Sequence, residues 1–115
     1  MIAKNVLIGF GANPDEGIER CMGDESFYLK LVCRAIERGP FEKLLDAITG
    51  NNLDEAFERA HALKGVLGNL SLTPLFDLSS ELTELLRNKL GGYEAPAKKL
   101  IEKRDELAAL LSGLG

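Results

Sequence analysis

Tryptophan is absent from the chain, histidine occurs once, cysteine twice, and aromatic residues make up only 6% of the 115 positions. Cys21 and Cys33 lack the C-x-x-C spacing, and a single histidine cannot complete a metal set with them, so zinc is not expected. Both read as small core or half-buried residues in a reducing compartment. Basic side chains number 14 against 18 acidic ones, for a formal charge of -4. A phosphate-backbone binder needs a basic face to release counterions, so nucleic acid is not expected as a partner. Long apolar runs are missing too. Val6-Leu7-Ile8 is too short to span a membrane, and it runs into Gly9, Gly11 and Pro14 without a signal-peptide pattern. No membrane and a cytoplasmic location are the expectation.

What is present is ordinary for a globular domain: 45% hydrophobic and 28% charged residues. A chain of this length buries roughly two-thirds of its unfolded surface and can fold without a disulfide or structural metal. One domain over residues 1–115 is expected, with an N-terminal arm over about 1–12 and a frayed tail over about 112–115.

Helix punctuation recurs along the chain. Asn13-Pro14-Asp15-Glu16 reads as an N-cap, a proline at the first helical position and a glutamate placed for a capping box, opening a short helix with Ile18, Cys21 and Met22 on one side. It stops at Gly23. Asp24 caps the next helix, where Tyr28, Leu31, Val32, Ala35 and Ile36 follow the i, i+3, i+4, i+7, i+8 spacing of a buried stripe. Gly39-Pro40 separates it from a short helix carrying Phe41, Leu44, Leu45 and Ile48, ended by Gly50-Asn51. Asn52 with Glu55 caps a helix whose core stripe is Leu53, Ala56, Phe57, Ala60, Leu63 and Leu67. Thr73-Pro74 opens the next with a side-chain cap and a seam of Leu75, Leu78, Leu82, Leu85 and Leu86, broken at Gly91-Gly92. Pro96 opens the last, with Ala97, Leu100, Ile101, Leu107, Ala108 and Leu111 inward.

No segment alternates with period 2 over strand length, and the connections are short. The chain therefore reads as all-α: an antiparallel up-and-down four-helix bundle with additional short N-terminal helices. Its apolar stripes can be satisfied within one bundle, so a monomer is the simpler expectation. Glu81, Glu84 and Arg87 read as solvated helix surface, outside any site.

The sole histidine lies in Ala60-His61-Ala62-Leu63-Lys64-Gly65, followed by Val66-Leu67-Gly68-Asn69-Leu70. At 100° per residue, with Leu53 at zero, the core stripe centres near about 330° and His61 falls at about 80°, with Gly68 at about 60° and Gly65 at about 120°. His61 thus sits at the rim of the stripe. Side chains lean toward the helix N-terminus, so residue 65 is the one that would cover the imidazole, and glycine leaves it bare. Each interior glycine costs about 1 kcal/mol relative to alanine. Close approach to the ring or helix packing would account for that cost. Lys64, three residues on, can bring an ammonium near whatever the imidazole carries. Imidazole is a competent nucleophile near neutral pH without a separate base.

The string His61-Ala62-Leu63-Lys64-Gly65, then Gly68-Asn69-Leu70, Leu72 and a leucine-rich helix, resembles the histidine-containing phosphotransfer (HPt) domain of bacterial and eukaryotic phosphorelays. Arg20-Cys21-Met22-Gly23-Asp24 and Phe27-Tyr28-Leu29 resemble the upstream part of stand-alone bacterial members. The resemblance implies that His61 accepts a phosphoryl group on Nε2, that Lys64 stabilises it and that Gly65 gives a partner access. It implies exchange with aspartates of response-regulator or hybrid-kinase receiver domains, which would supply Mg²⁺. The chain itself would need no cofactor and would be no kinase, having neither a P-loop nor the boxes of a histidine-kinase ATP site. Ser71 departs from the family, where many members have a second turn glycine; a local change in chain exit is expected. Docking would use the ground around His61, with Leu67 or Val66 as apolar contacts, although Val66 could instead pack on an N-terminal helix.

Two competing functions remain at this level. One is a helical adaptor that binds receivers without phosphotransfer. The other is a hydrolytic enzyme, which would need a second positioned group beside His61, and only Asp54 and Glu58 lie on the same rim.

Overall fold

A computed structural model describes residues 2–113. The outer part of the expected frayed tail, residues 114–115, lies outside them. Every regular element is a helix: Ile2–Phe10 (α1), Pro14–Arg20 (α2), Glu25–Ala35 (α3), Arg38–Thr49 (α4), Leu53–Asn69 (α5), Thr73–Arg87 (α6) and Glu94–Ser112 (α7).

The local signals place these elements. Asn13, Asp24 and Asn52 each accept a hydrogen bond from the backbone N–H three residues on, at 3.3, 3.0 and 3.4 Å. Thr73 does not cap α6 as expected. Leu72 stands at the cap without a side-chain bond, and the Thr73 hydroxyl turns back to the Ser71 carbonyl at 3.5 Å. Glu16 completes no capping box either, because its carboxylate is drawn to Arg20 and Ser71.

Four helices end in one way. Met22, Asn51, Ser71 and Lys89 adopt left-handed φ between 52° and 59°. The amide after each donates to a carbonyl five residues back: Gly23 to Ile18, Asn52 to Ala47, Leu72 to Leu67 and Leu90 to Leu85, at 2.8–3.1 Å. This is the Schellman closure, and at these four ends it takes non-glycine residues, whereas α1 closes likewise on Gly11, with Ala12 donating to Leu7 at 3.0 Å. Gly50 has φ −79° and is only the C-cap; the left-handed turn falls on Asn51. Met22 lies past the end of α2 and is 95% exposed, so it does not join Ile18 on a buried side.

α5 packs against α4 and α6, and α7 closes the ring by packing on α4 and α6. The seam is mainly apolar: Leu44, Ala56, Ala60, Leu67, Leu75, Leu82, Leu100 and Leu107 are buried. Buried Thr83 and Ser79 satisfy their hydroxyls on carbonyls of their own helix, at 2.6 and 3.0 Å, so they cost the core no unpaired group. The expected N-terminal arm is helical instead. α1 has no acidic first turn or basic last turn, but α7 gives it a surface on which Leu7 and Phe10 are buried. Tertiary burial stabilises a nine-residue helix that would not hold alone.

α2 and α3 close the far end of α5. The last carbonyls of a helix have no partner within it. Here Arg20 Nη1 donates to Gly68 and Asn69 at 3.0 and 3.3 Å, and the Tyr28 hydroxyl donates to Leu70 at 2.8 Å. A guanidinium at this end also complements the helix dipole. Burial, with a smaller contribution from the Cys21 thiol, pushes Tyr28 up to about 12, so its hydroxyl keeps its proton and remains a donor.

Candidate functional site

His61 lies in the middle of α5 on its exposed rim. The stripe behind it is buried at Ala56, Ala60, Leu63 and Leu67, while Leu53 and Phe57 of the expected stripe are only half-buried. One turn before it, the Phe57 ring lies parallel to the imidazole, with centroids 5.8 Å apart and planes within 7°. The Arg87 guanidinium, from the last turn of α6, stands over the same phenyl ring at 5.1 Å. Arg87 is therefore not mere solvated surface.

The two glycines after His61 do different things. A Cβ on Gly65 would meet nothing within 4 Å, so this glycine leaves open space beside the imidazole. A Cβ on Gly68 would lie 2.9 Å from Cδ1 and 3.0 Å from Cε1 of Phe76, so that glycine lets α6 approach α5. Alanine should act with opposite sign at the two sites. Gly65→Ala is expected to stabilise the fold by about 0.5–1 kcal/mol through helix propensity. Gly68→Ala is expected to destabilise it by about 1 kcal/mol, because overpacking against a wedged ring outweighs that gain. Urea unfolding midpoints of the two variants check both signs.

On the Gly65 side, an open groove of about 620 Å³ borders His61, with Lys64, Arg20, Asn69, Ser71 and Asp77 among its walls. Lys64 is half-buried, and among the described residues no carboxylate pairs with it. Its ammonium is thus available to an anion in the groove. The floor is braced by Ser71, whose hydroxyl donates to Glu16 at 2.8 Å and accepts from Arg20 at 2.7 Å, while Arg20 pairs with Glu16 at 2.8 Å. Ser71 occupies the left-handed position that glycine would fill more easily, and these side-chain bonds offset its strain. The chain exit keeps the ordinary helix closure, so the expected change in chain exit is not seen.

Among the described residues, Asp54 and Glu58 form no hydrogen bond or ion pair with His61, and no three metal-ligating side chains gather. A carboxylate–imidazole couple is therefore not built here. Leu67, expected as a docking contact, is wholly buried, because its side chain belongs to the core stripe of α5. Val66 is 46% exposed and lines a separate groove with Ala35 of α3, Pro40 of α4, and Ala62 and Leu63 of its own helix.

The sequence placed Phe57 only in the core stripe, not against the imidazole, and the Arg20–Glu16–Ser71 network left no trace in it. Phe57 precedes His61 by four residues, a spacing at which helix side chains meet, so it was detectable. The Arg20 contacts join residues 48 to 51 positions apart and leave no local signal.

A helix-borne imidazole that is exposed, supported on one side, open on the other and near a cation suits a nucleophile that receives an anionic group from outside. The family model of the Hpt domain matches residues 38–114, which is α4 through α7. No curated protein and no solved structure matched the chain.

Proposed function

Since the chain belongs to the Hpt domain family, whose members are phosphotransfer modules of phosphorelays rather than kinases, we propose that it carries a phosphoryl group on His61 between the aspartates of two receiver domains. The observation that carries this reading is the bare imidazole, exposed on α5 beside Gly65 and Lys64. In the loading step the Nε2 lone pair forms a bond to phosphorus, the acyl-phosphate P–O bond breaks, and the aspartate carboxylate of the receiver leaves. The proton on Nδ1 stays where it is. Lys64 offsets the charge of the phosphoryl oxygens, and the reverse step loads the second receiver. Mg²⁺ belongs to the receiver, where it neutralises phosphoryl oxygens.

The docking ground extends from His61 to Val66, with polar residues as a rim. We take α4 to α7 as an antiparallel up-and-down four-helix bundle, consistent with connections of only a few residues. The whole chain acts as one monomeric domain in the cytoplasm, and no helix among the described residues is long and apolar enough to cross a membrane.

Mixing the protein with a panel of radiolabelled, phosphorylated receivers tests the reading. The expected result is acid-labile, alkali-stable label on this chain, drawn from at least one receiver. Binding to receivers without any label would favour the adaptor function and sink the proposal.

A further inference from the structure

The contact between His61 and Phe57 has more content than helix spacing requires. At 5.8 Å between centroids and 7° between planes, the two rings are offset-stacked. Phe57 is itself held, since Arg87 lies over its ring at 5.1 Å and Arg87 Nε donates to Glu84 at 3.2 Å. The stack therefore ties the histidine helix to the end of α6. Side chains lean toward the helix N-terminus, so the imidazole rests on the Phe57 side while the Gly65 side stays empty.

We propose that Phe57, itself held by Arg87, is a positioning residue that fixes the rotamer of the His61 imidazole for attack on phosphorus. This rests on the reading that His61 is the phosphoryl acceptor. An exposed imidazole otherwise hops between rotamers, and only orientations that aim the attacking nitrogen in line with the P–O bond are productive. Restricting the ring raises the first-order transfer step. It does not alter receiver affinity, because Phe57 is half-buried beneath the ring rather than presented to a partner.

The test is single-turnover transfer, from any receiver that loads the wild type and, separately, from phosphoramidate, which needs no receiver. Phe57→Leu keeps apolar bulk but removes the plate. It is expected to lower the limiting rate about fivefold with either donor, on the order of the rotamer entropy of one side chain. The half-saturating receiver concentration stays unchanged. Phe57→Tyr restores the rate, and Arg87→Gln gives a smaller loss of about twofold, in keeping with its indirect role. Because His61 is the only histidine, its ring protons give single resonances. In the wild type they should carry an upfield ring-current shift that Phe57→Leu abolishes and Phe57→Tyr retains.

A limiting rate unchanged in Phe57→Leu would overturn the proposal, whether or not the resonances move. So would a change confined to the half-saturating concentration. Loading of the wild type by phosphoramidate but by no receiver would instead sink the relay reading, while the phosphoramidate rates still decide the role of Phe57.

Discussion

His61→Gln is expected to abolish phosphoryl transfer, by more than about a thousandfold, while leaving the fold intact. Glutamine reaches about as far as histidine, but its amide nitrogen lone pair is delocalised and cannot attack phosphorus. Nothing nearby replaces it, since this is the only histidine of the chain. The side chain is exposed, so the unfolding free energy should change by only about 0.5 kcal/mol, mostly from the lost Phe57 stack. Acid-labile label and a urea titration on the same preparation separate the two effects. Label retained by the variant would move the acceptor elsewhere, and the exposed Asp77 carboxylate in the same groove would be the next group to replace.

That separation is possible because the features of this molecule divide by range. The caps at Asn13, Asp24 and Asn52 act over three residues, and their pattern alone located three helix starts. The α5 stripe was equally legible, because a 3.6-residue period needs only one buried face; Ala56, Ala60, Leu63 and Leu67 are where it puts them. Where a distant partner competes, the local signal failed. Glu16 has the spacing of a capping box, yet a guanidinium and a hydroxyl outbid the backbone amide for its carboxylate. The run from Ile2 to Phe10 has no acidic first turn and no basic last turn, and its helicity depends on α7, about 90 residues away. At the site the same division holds. The rim position of His61 and the bare flank at Gly65 follow from angles on one helix, whereas Arg87 reaches Phe57 only because α6 packs alongside. A charged residue on a helix surface is solvated in most cases, and nothing local marked this one as different.

Gly17→Ala is expected to produce the largest loss of stability, about 3 kcal/mol, or roughly 10 °C in Tm for a domain of this size. Gly17 is buried where α2 crosses the end of α5. An added Cβ would press into Cε1 of Tyr28 and stand 2.8 Å from both Cζ of Tyr28 and the Leu70 carbonyl oxygen. Neither neighbour can yield cheaply. The tyrosine is fully buried, and its hydroxyl is already committed to that same carbonyl. The carbonyl is backbone at the start of the turn into α6. Relief must come from moving α2, which withdraws Arg20 from Gly68 and Asn69 and leaves the last carbonyls of the histidine helix without their side-chain partners. Gly39→Ala is the control, because a Cβ at that helical position meets nothing within 4 Å, and it should be neutral or stabilising. Urea unfolding measures the difference, and hydrogen exchange locates it. The amides of Ser71 and Leu72, which close α5 onto Gly68 and Leu67, should lose protection ahead of those in the middle of the helix. If they do, the segment preceding the family match holds the histidine helix at its far end. If protection falls uniformly instead, α2 and α3 contribute to the core as a whole and have no particular hold on the floor of the groove.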